Sequence, residues 1–275
     1  MRAFIAGIGL LGPGLASADE GFAILRGERA YQPTAARAPG TQGLAANEAR
    51  RCPMLARYAL DVGHQALTAA GWTAADVAPV FSSGSGDLDI LDKNCRALAR
   101  SPIALSPTLF HNSVHNAVAG YWGIAMRSRA PSTSLSAYDD SFSAGLLEAL
   151  MSAWEGPPCL LVAYDLPPPP ALAPVRPVTV PFAVAVAVSR ERPLSPCVLV
   201  EWEWRPRDLK ESRFSTAGLE ALRLANPAAR CLPLLQAMAQ GTPARVVLPY
   251  LADGQLVVQV VPIPREPMNA AAREA

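Results

Sequence analysis

Asp139 and Asp140 stand side by side in the stretch SLSAYDDSFSAGLLEAL, residues 134–150. Its beginning reads as the end of a buried strand and its end as a helix, so Tyr138, Asp139 and Asp140 fall at a strand-to-helix turn. Many enzymes place a nucleophile on such a turn, because the free N–H groups of the helix N-terminus stabilise a developing anion. Here the turn carries two acids and no cysteine. Two carboxylates suggest general acid and base work, but adjacent residues diverge in direction, and a working pair faces one substrate from two separate elements.

Other constellations are weaker. His111 and His115 are spaced i, i+4 on a helix expected over 112–126 and its lead-in, a spacing that can present two imidazoles to one metal. No HExxH glutamate accompanies them and His64 is the one histidine left, so the reading is pocket lining or satisfaction of buried backbone groups, with no metal site. Asp87, Asp89 and Asp92 resemble a calcium loop without its glycine and final glutamate, and read better as an acidic helix start. SSGSGD lacks the first glycine of GxSxG, and no histidine follows residue 115, as a serine hydrolase of the usual chain order requires. Gly7-x-Gly9-x-x-Gly12 follows a strand as in a dinucleotide fingerprint, but Pro13 and Gly14 prevent the helix that the third glycine should open.

The elements that must position these residues alternate. A helix is predicted over 54–70, with Leu55, Tyr58, Val62, Ala66 and Ala69 on one face and Gly71 ending it. VAPVFSSGSG reads as a strand entering a Gly/Ser loop, followed by a helix through Leu91, Cys95 and Leu98. STSLSA is a strand, and Leu146, Leu147, Leu150, Met151 and Trp154 form the buried face of the next helix. CLLVAYD is a further strand. The pattern indicates an α/β layered core with a largely parallel sheet. The proline-rich segment 166–181 reads as an extended, stiff excursion. In CVLVEWEW, Val198, Val200, Trp202 and Trp204 share one face, which reads as an edge strand with a partly exposed aromatic stripe or as a partner surface. A helical pair around Leu219 to Met238, a hairpin through Asp253-Gly254 and a frayed NAAAREA tail close the chain.

Composition narrows the functions. The 275 residues are 51% hydrophobic and 17% charged, with a net charge of +1 and a mean hydropathy of +0.18. Without a concentrated basic footprint, nucleic acid is not expected as a partner. No apolar span is long enough for a membrane helix. Five scattered cysteines without CxxC spacing suit packing in a reducing, cytoplasmic compartment. The N-terminal apolar run imitates a secretory signal, but glycines interrupt it, and Ser17 and Glu20 have capping-box spacing before a short helix.

RAFIAGIGLLGPG, ALTAAGW, SPTLFHNSVHNAVAGYWGIA and APSTSLSAYDDSFSAGLLEAL resemble, in order and spacing, the N-terminal half of β-ketoacyl synthases of the thiolase fold. The resemblance covers residues 1–205, fades over 206–275, and is specific through HNAVAG and APSTSLSA. It implies a thiolase-like layered α-β-α fold: a retained N-terminal half (1–205) and a degenerate, shortened C-terminal part (206–275) packed on the same domain. Counting from Pro131-Ser132, Asp139 stands where those enzymes carry their acyl-accepting cysteine, and their C-terminal histidine pair has no counterpart beyond His115.

The chain looks most like the shortened chain length factors of aryl polyene, xanthomonadin-type pigment biosynthesis. That resemblance implies a pseudoenzyme without catalytic residues or cofactor, paired with an active β-ketoacyl-acyl carrier protein synthase in a heterodimer that acyl carrier protein feeds. It implies interface residues Ser132, Thr133, Ser134, Leu135, Ser136 and Asp140, with Asp139 and Asp140 capping the helix or bonding across the interface. It implies an elongation tunnel near Leu109, Phe110, His111, His115, Tyr121, Trp122, Tyr138 and Phe142. The competing readings are a cysteine-independent acyltransferase or malonyl decarboxylase, and a self-associating scaffold.

Overall fold

The computed structural model describes residues 1–41, 43–100, 102 and 104–263; the expected NAAAREA tail lies outside them. Strand β1 (Arg2–Leu11) runs through the middle of an eight-stranded sheet of order β3-β2-β4-β5-β1-β6-β8-β7, with β2 at Ala78–Ser82, β3 at Thr133–Leu135, β4 at Cys159–Asp165, β5 at Phe182–Ser189, β6 at Val198–Pro206, β7 at Ala244–Tyr250 and β8 at Gly254–Pro262. Among the described strands, only β3, β2 and β4 run parallel. The joins from β4 to β5 and onward are all antiparallel, so the expectation of a largely parallel sheet is corrected. Antiparallel neighbours need no helical crossover, and the chain reaches β5 through the proline-rich segment and β8 through a hairpin.

Helices cover both faces. On one side α3 (Met54–Ala70) lies across β1, β5 and β4 and packs with α6 (Ala117–Met126). Leu55, Tyr58, Val62 and Ala66 are buried as the periodicity predicts, whereas Ala69 is exposed, and Gly71 ends α3 in the left-handed conformation at φ 69°. A Cβ on Gly7 or Gly9 would collide with the backbone of Ala66 or Val62. The glycine pattern therefore serves close packing of strand on helix. After Gly12 the next helix, α1 (Ala18–Leu25), begins only behind Ser17, whose Oγ accepts from the backbone N–H of Glu20 at 3.3 Å.

On the other side α7 (Ser141–Glu155), α8 (Ala217–Ala225) and α9 (Leu232–Gln240) enclose the second core, where Phe142, Leu146 and Leu150 meet Val246, Leu248, Leu256 and Val258. Strand β6 lies between β1 and β8 rather than at an edge: Val200 and Trp202 are buried and Trp204 alone of the pair of tryptophans is exposed. The hairpin through Asp253-Gly254 joins β7 to β8. The proline-rich segment is not extended throughout; residues 170–175 coil into tight turns, with the N–H groups of Leu172 and Ala173 donating to Pro169 O and that of Arg176 to Leu172 O. Proline at the start of such a turn loses no hydrogen bond, because its missing N–H would have had no partner there. Beyond it the N–H of Thr179 donates to Ala225 O.

Candidate functional site

Among the described residues, strand β3 is three residues long, pairs only with β2, and forms one edge of the sheet. From it the chain turns through a 3₁₀ segment, Tyr138–Asp140, into α7. Tyr138 sits at φ 53°, a left-handed conformation that a non-glycine residue adopts only under local constraint. The constraint is visible. Ser141 Oγ accepts from the Ala137 N–H at 2.9 Å and donates to Tyr138 O at 2.7 Å, while Ser82 Oγ of β2 donates to Ser141 O at 2.6 Å.

The two acids of the turn do different things. Asp139 receives Arg176 Nη1 at 2.5 Å and Arg230 Nη2 at 3.4 Å. Asp140 occupies the N-cap position of α7 without a side-chain cap bond, so neither acid caps the helix as expected. Burial pushes the Asp140 carboxyl above its ordinary pKa, against the pull of Arg230 and Arg207. Arg176 is buried, donates from Nε to Ser85 Oγ at 2.6 Å, and lays its guanidinium 3.9 Å over the Tyr138 ring. Behind it, at the end of β4, Asp165 accepts from Ser83 Oγ at 2.9 Å and from the Gly84 N–H at 3.0 Å. Burial raises its pKa to about 6 despite those bonds and the charge of Arg176.

Sequence reasoning missed Arg176, Arg230, Ser85 and Asp165. Arg176 and Arg230 reach Asp139 from 37 and 91 residues away, and no local pattern signals either.

The histidines do not share a helix. His111 ends α5 (Pro107–His111), the chain turns over 112–116, and α6 starts afresh at Ala117. The break has a cause: the Ser113 N–H and Oγ both bond to Phe110 O, which closes the end of α5. His115 Nε2 lies 2.9 Å from Leu135 O on β3, and His111 Nδ1 3.2 Å from Asn112 Oδ1. Among the described residues no group of three His, Cys, Asp or Glu side chains could hold a metal ion.

Two cavities flank α5. One of about 530 Å³ is lined by Arg50, Arg51, Asp87, Lys93, Leu109 and Asn112. The other, about 840 Å³, lies along α6 and includes Arg51, His111, Asn112, Tyr121, Ile124 and Ser132. The two share Arg51, Thr108 and Asn112, and the Tyr121 hydroxyl donates to Arg51 O at 3.0 Å. His115 lines a smaller recess beside Val118. Trp122 and Phe142 are sealed in the two cores instead, and Phe110 and Tyr138 project outward, 62% and 56% exposed. Of the residues expected at the interface, Ser132, Thr133 and Ser136 are exposed, while Ser134, Leu135 and Asp140 are half-buried.

Several apolar side chains between residues 91 and 124 face solvent. Phe110, Val114 and Ile124 are exposed, and so are Leu91, Cys95 and Leu98, the apolar stripe of α4 (Leu88–Leu98). An amphipathic helix normally turns that stripe inward.

Residues 26–243 match the model for the N-terminal domain of the β-ketoacyl synthases. The chain belongs to this family. The match extends past residue 205, where the sequence resemblance fades, to the end of α9. No curated protein matches the chain. Among solved structures, the fold is similar to a ketosynthase in complex with its chain length factor from Xenorhabdus doucetiae, with 23% identity and a TM-score of 0.70 over 94% of this chain and 99% of that one. The ishigamide ketosynthase/chain length factor gives 15% identity and a TM-score of 0.71 over 96% and 100%. A type II polyketide synthase acyl-carrier protein in complex with its ketosynthase bound to the hexaketide gives 10% and 0.70 over 95% and 99%. The α-β-α arrangement is the thiolase-like ketosynthase fold.

Proposed function

We propose that this β-ketoacyl synthase family member is a non-catalytic, chain-length-factor-like subunit that pairs with a cysteine-bearing β-ketoacyl-acyl carrier protein synthase in the cytoplasm, in a polyene pathway of the aryl polyene type. The observation that carries the reading is the free edge of β3 beside exposed Val114 and Ile124, which line one cavity with Ser132. An unpaired edge beside exposed apolar side chains is a template for a partner strand. Ser132, Thr133, Ser134, Leu135, Ser136 and Asp140 form this interface.

The cavities along α5 and α6 are the part of the elongation tunnel that this subunit supplies, with Leu109, His111, His115 and Tyr121 in its wall and Phe110 and Tyr138 completing it at the interface. A growing chain meets these side chains sterically, so their bulk limits its length. Trp122 holds that wall in place from behind. Residues 206–263 extend the sheet beyond β6 with β8 and β7. Acyl carrier protein docks on the assembled pair.

Native mass spectrometry of the chain alone and with a cognate ketosynthase tests the reading. The expected result is a one-to-one complex. A homodimer that ignores the ketosynthase favours a scaffold, and turnover of malonyl-carrier protein by the chain alone favours a decarboxylase; either result overturns the proposal.

A further inference from the structure

The charge arrangement around Asp139 is more than a lost nucleophile requires. Arg176 is 6% exposed, and a guanidinium held that far from water is costly unless its charge is compensated. Three of its features are satisfied: Nε by Ser85, Nη1 by Asp139, and its face by the Tyr138 ring. Nη2 is buried and has no hydrogen-bond partner among the described residues. It occupies the space that a side chain at Gly84 would fill. Asp165 faces Arg176 from β4, but its oxygens are taken up by Ser83 and Gly84. Arg230 also reaches Asp139, from the 3₁₀ segment Ala228–Cys231. The turn opens directly into α7, whose N-terminal N–H groups add a partial positive charge.

We infer that the β3–α7 turn is a built seat for one carboxylate, formed by Arg176 and Arg230, and that Asp139 is its resident ligand. The seat binds a carboxylate because Arg176 and Arg230 present separate N–H donors to its two oxygens, Oδ1 and Oδ2. The Asp139 side chain is 43% exposed, so the seat opens to solvent and a small anion has a path to it. This inference stands on the geometry of the turn and does not depend on pairing with a ketosynthase. It gives residue 139 a positive function: the acid closes an ion-pair network that ties the β2–α4 loop, the β3–α7 turn and the proline-rich segment together.

The test is rescue by formate. Asp139→Ala empties the seat, and its melting temperature is expected to fall. Formate is expected to restore at least half of that loss in a saturable manner, because a ligand that binds only the folded state stabilises it. Sodium chloride at equal ionic strength is expected to restore much less. Adding Arg176→Ala to Asp139→Ala should abolish the formate-specific gain. Formate no better than chloride, or equally good in the double variant, overturns the seat. Should Asp139→Ala not fold, a double-mutant cycle with Asp139→Asn and Arg176→Gln decides: coupled losses support the seat, and additive losses refute it.

Discussion

Trp122 of α6 meets Phe81 of β2 edge to face, with ring centroids 6.0 Å apart and planes at 65°. The indole rests on α3 where Gly63 has no side chain, and a Cβ there would strike the ring. This contact joins the helix that bears Tyr121 to the sheet, so it sets the height of the cavity wall without lining it. Trp122→Ala should cost about 3 to 5 kcal/mol, the usual range for emptying an aromatic core site. Urea unfolding measures it, and a loss below about 1 kcal/mol would show that α6 is positioned otherwise.

The free edge predicts a surface with little role in folding. Phe110→Asp and Ile124→Asp alter exposed side chains and should change the stability of the isolated chain by no more than about 0.5 kcal/mol. Each should weaken binding to the proposed ketosynthase partner at least about tenfold, or about 1.4 kcal/mol. Titration calorimetry reads the affinity, and unchanged binding in both variants removes α5 and α6 from the interface.

Arg37 pins the long segment between α1 and α3. It donates to both oxygens of buried Asp61, at 2.8 and 2.6 Å, and the Gly40 N–H and Gln65 complete the carboxylate's shell. Burial pushes the Asp61 carboxyl up, but these hydrogen bonds and the charge of Arg37 outweigh it and hold the pKa below the ordinary value. The stabilisation is therefore present above the ordinary carboxylate range and is lost as pH falls through the depressed pKa. Arg37 is 40% exposed, so Arg37→Ala should cost about 1 to 2 kcal/mol, less than a fully buried pair. Hydrogen exchange over residues 31–41 should accelerate in the variant at neutral pH, with the difference shrinking in acid.

Asp165 has the opposite sign. Its pKa is raised from 3.8 to about 6 by burial, so the folded protein holds this proton more tightly than the unfolded chain does. Stability from this group is full below the unfolded pKa and declines as pH rises to about 6, a loss of about 3 kcal/mol from the shift. Asp165→Asn should remove that decline. Denaturant unfolding of both proteins from pH 4 to 7 checks it: the stability of the native chain relative to the variant should fall across this interval and level off above it.

Several features were legible without coordinates because they depend on neighbours in the chain. The 3.6-residue periodicity of Leu55, Tyr58, Val62 and Ala66 defines a buried helix face, Gly71 supplies its left-handed stop, and Ser17 caps α1. The strand-to-helix turn at Tyr138–Asp140, and the absence of a cysteine there, could be read from SLSAYDDSFSAGLLEAL. Family motifs through HNAVAG and APSTSLSA carried the fold class, because they are contiguous.

Tertiary structure alone decided the rest. Strand direction beyond β4 depends on which strands meet, and alternation of elements cannot specify that. The break between His111 and His115 comes from one serine bonding back to Phe110, where the local pattern favoured a continuous helix. The stripe Leu91, Cys95 and Leu98 looks like a core face in one dimension and faces solvent in three. The seat around Asp139 assembles residues 85, 176 and 230 from three remote segments. Periodicity and caps are short-range and survive in a linear reading, whereas pairing of distant charges and strand edges exists only after the chain has closed on itself.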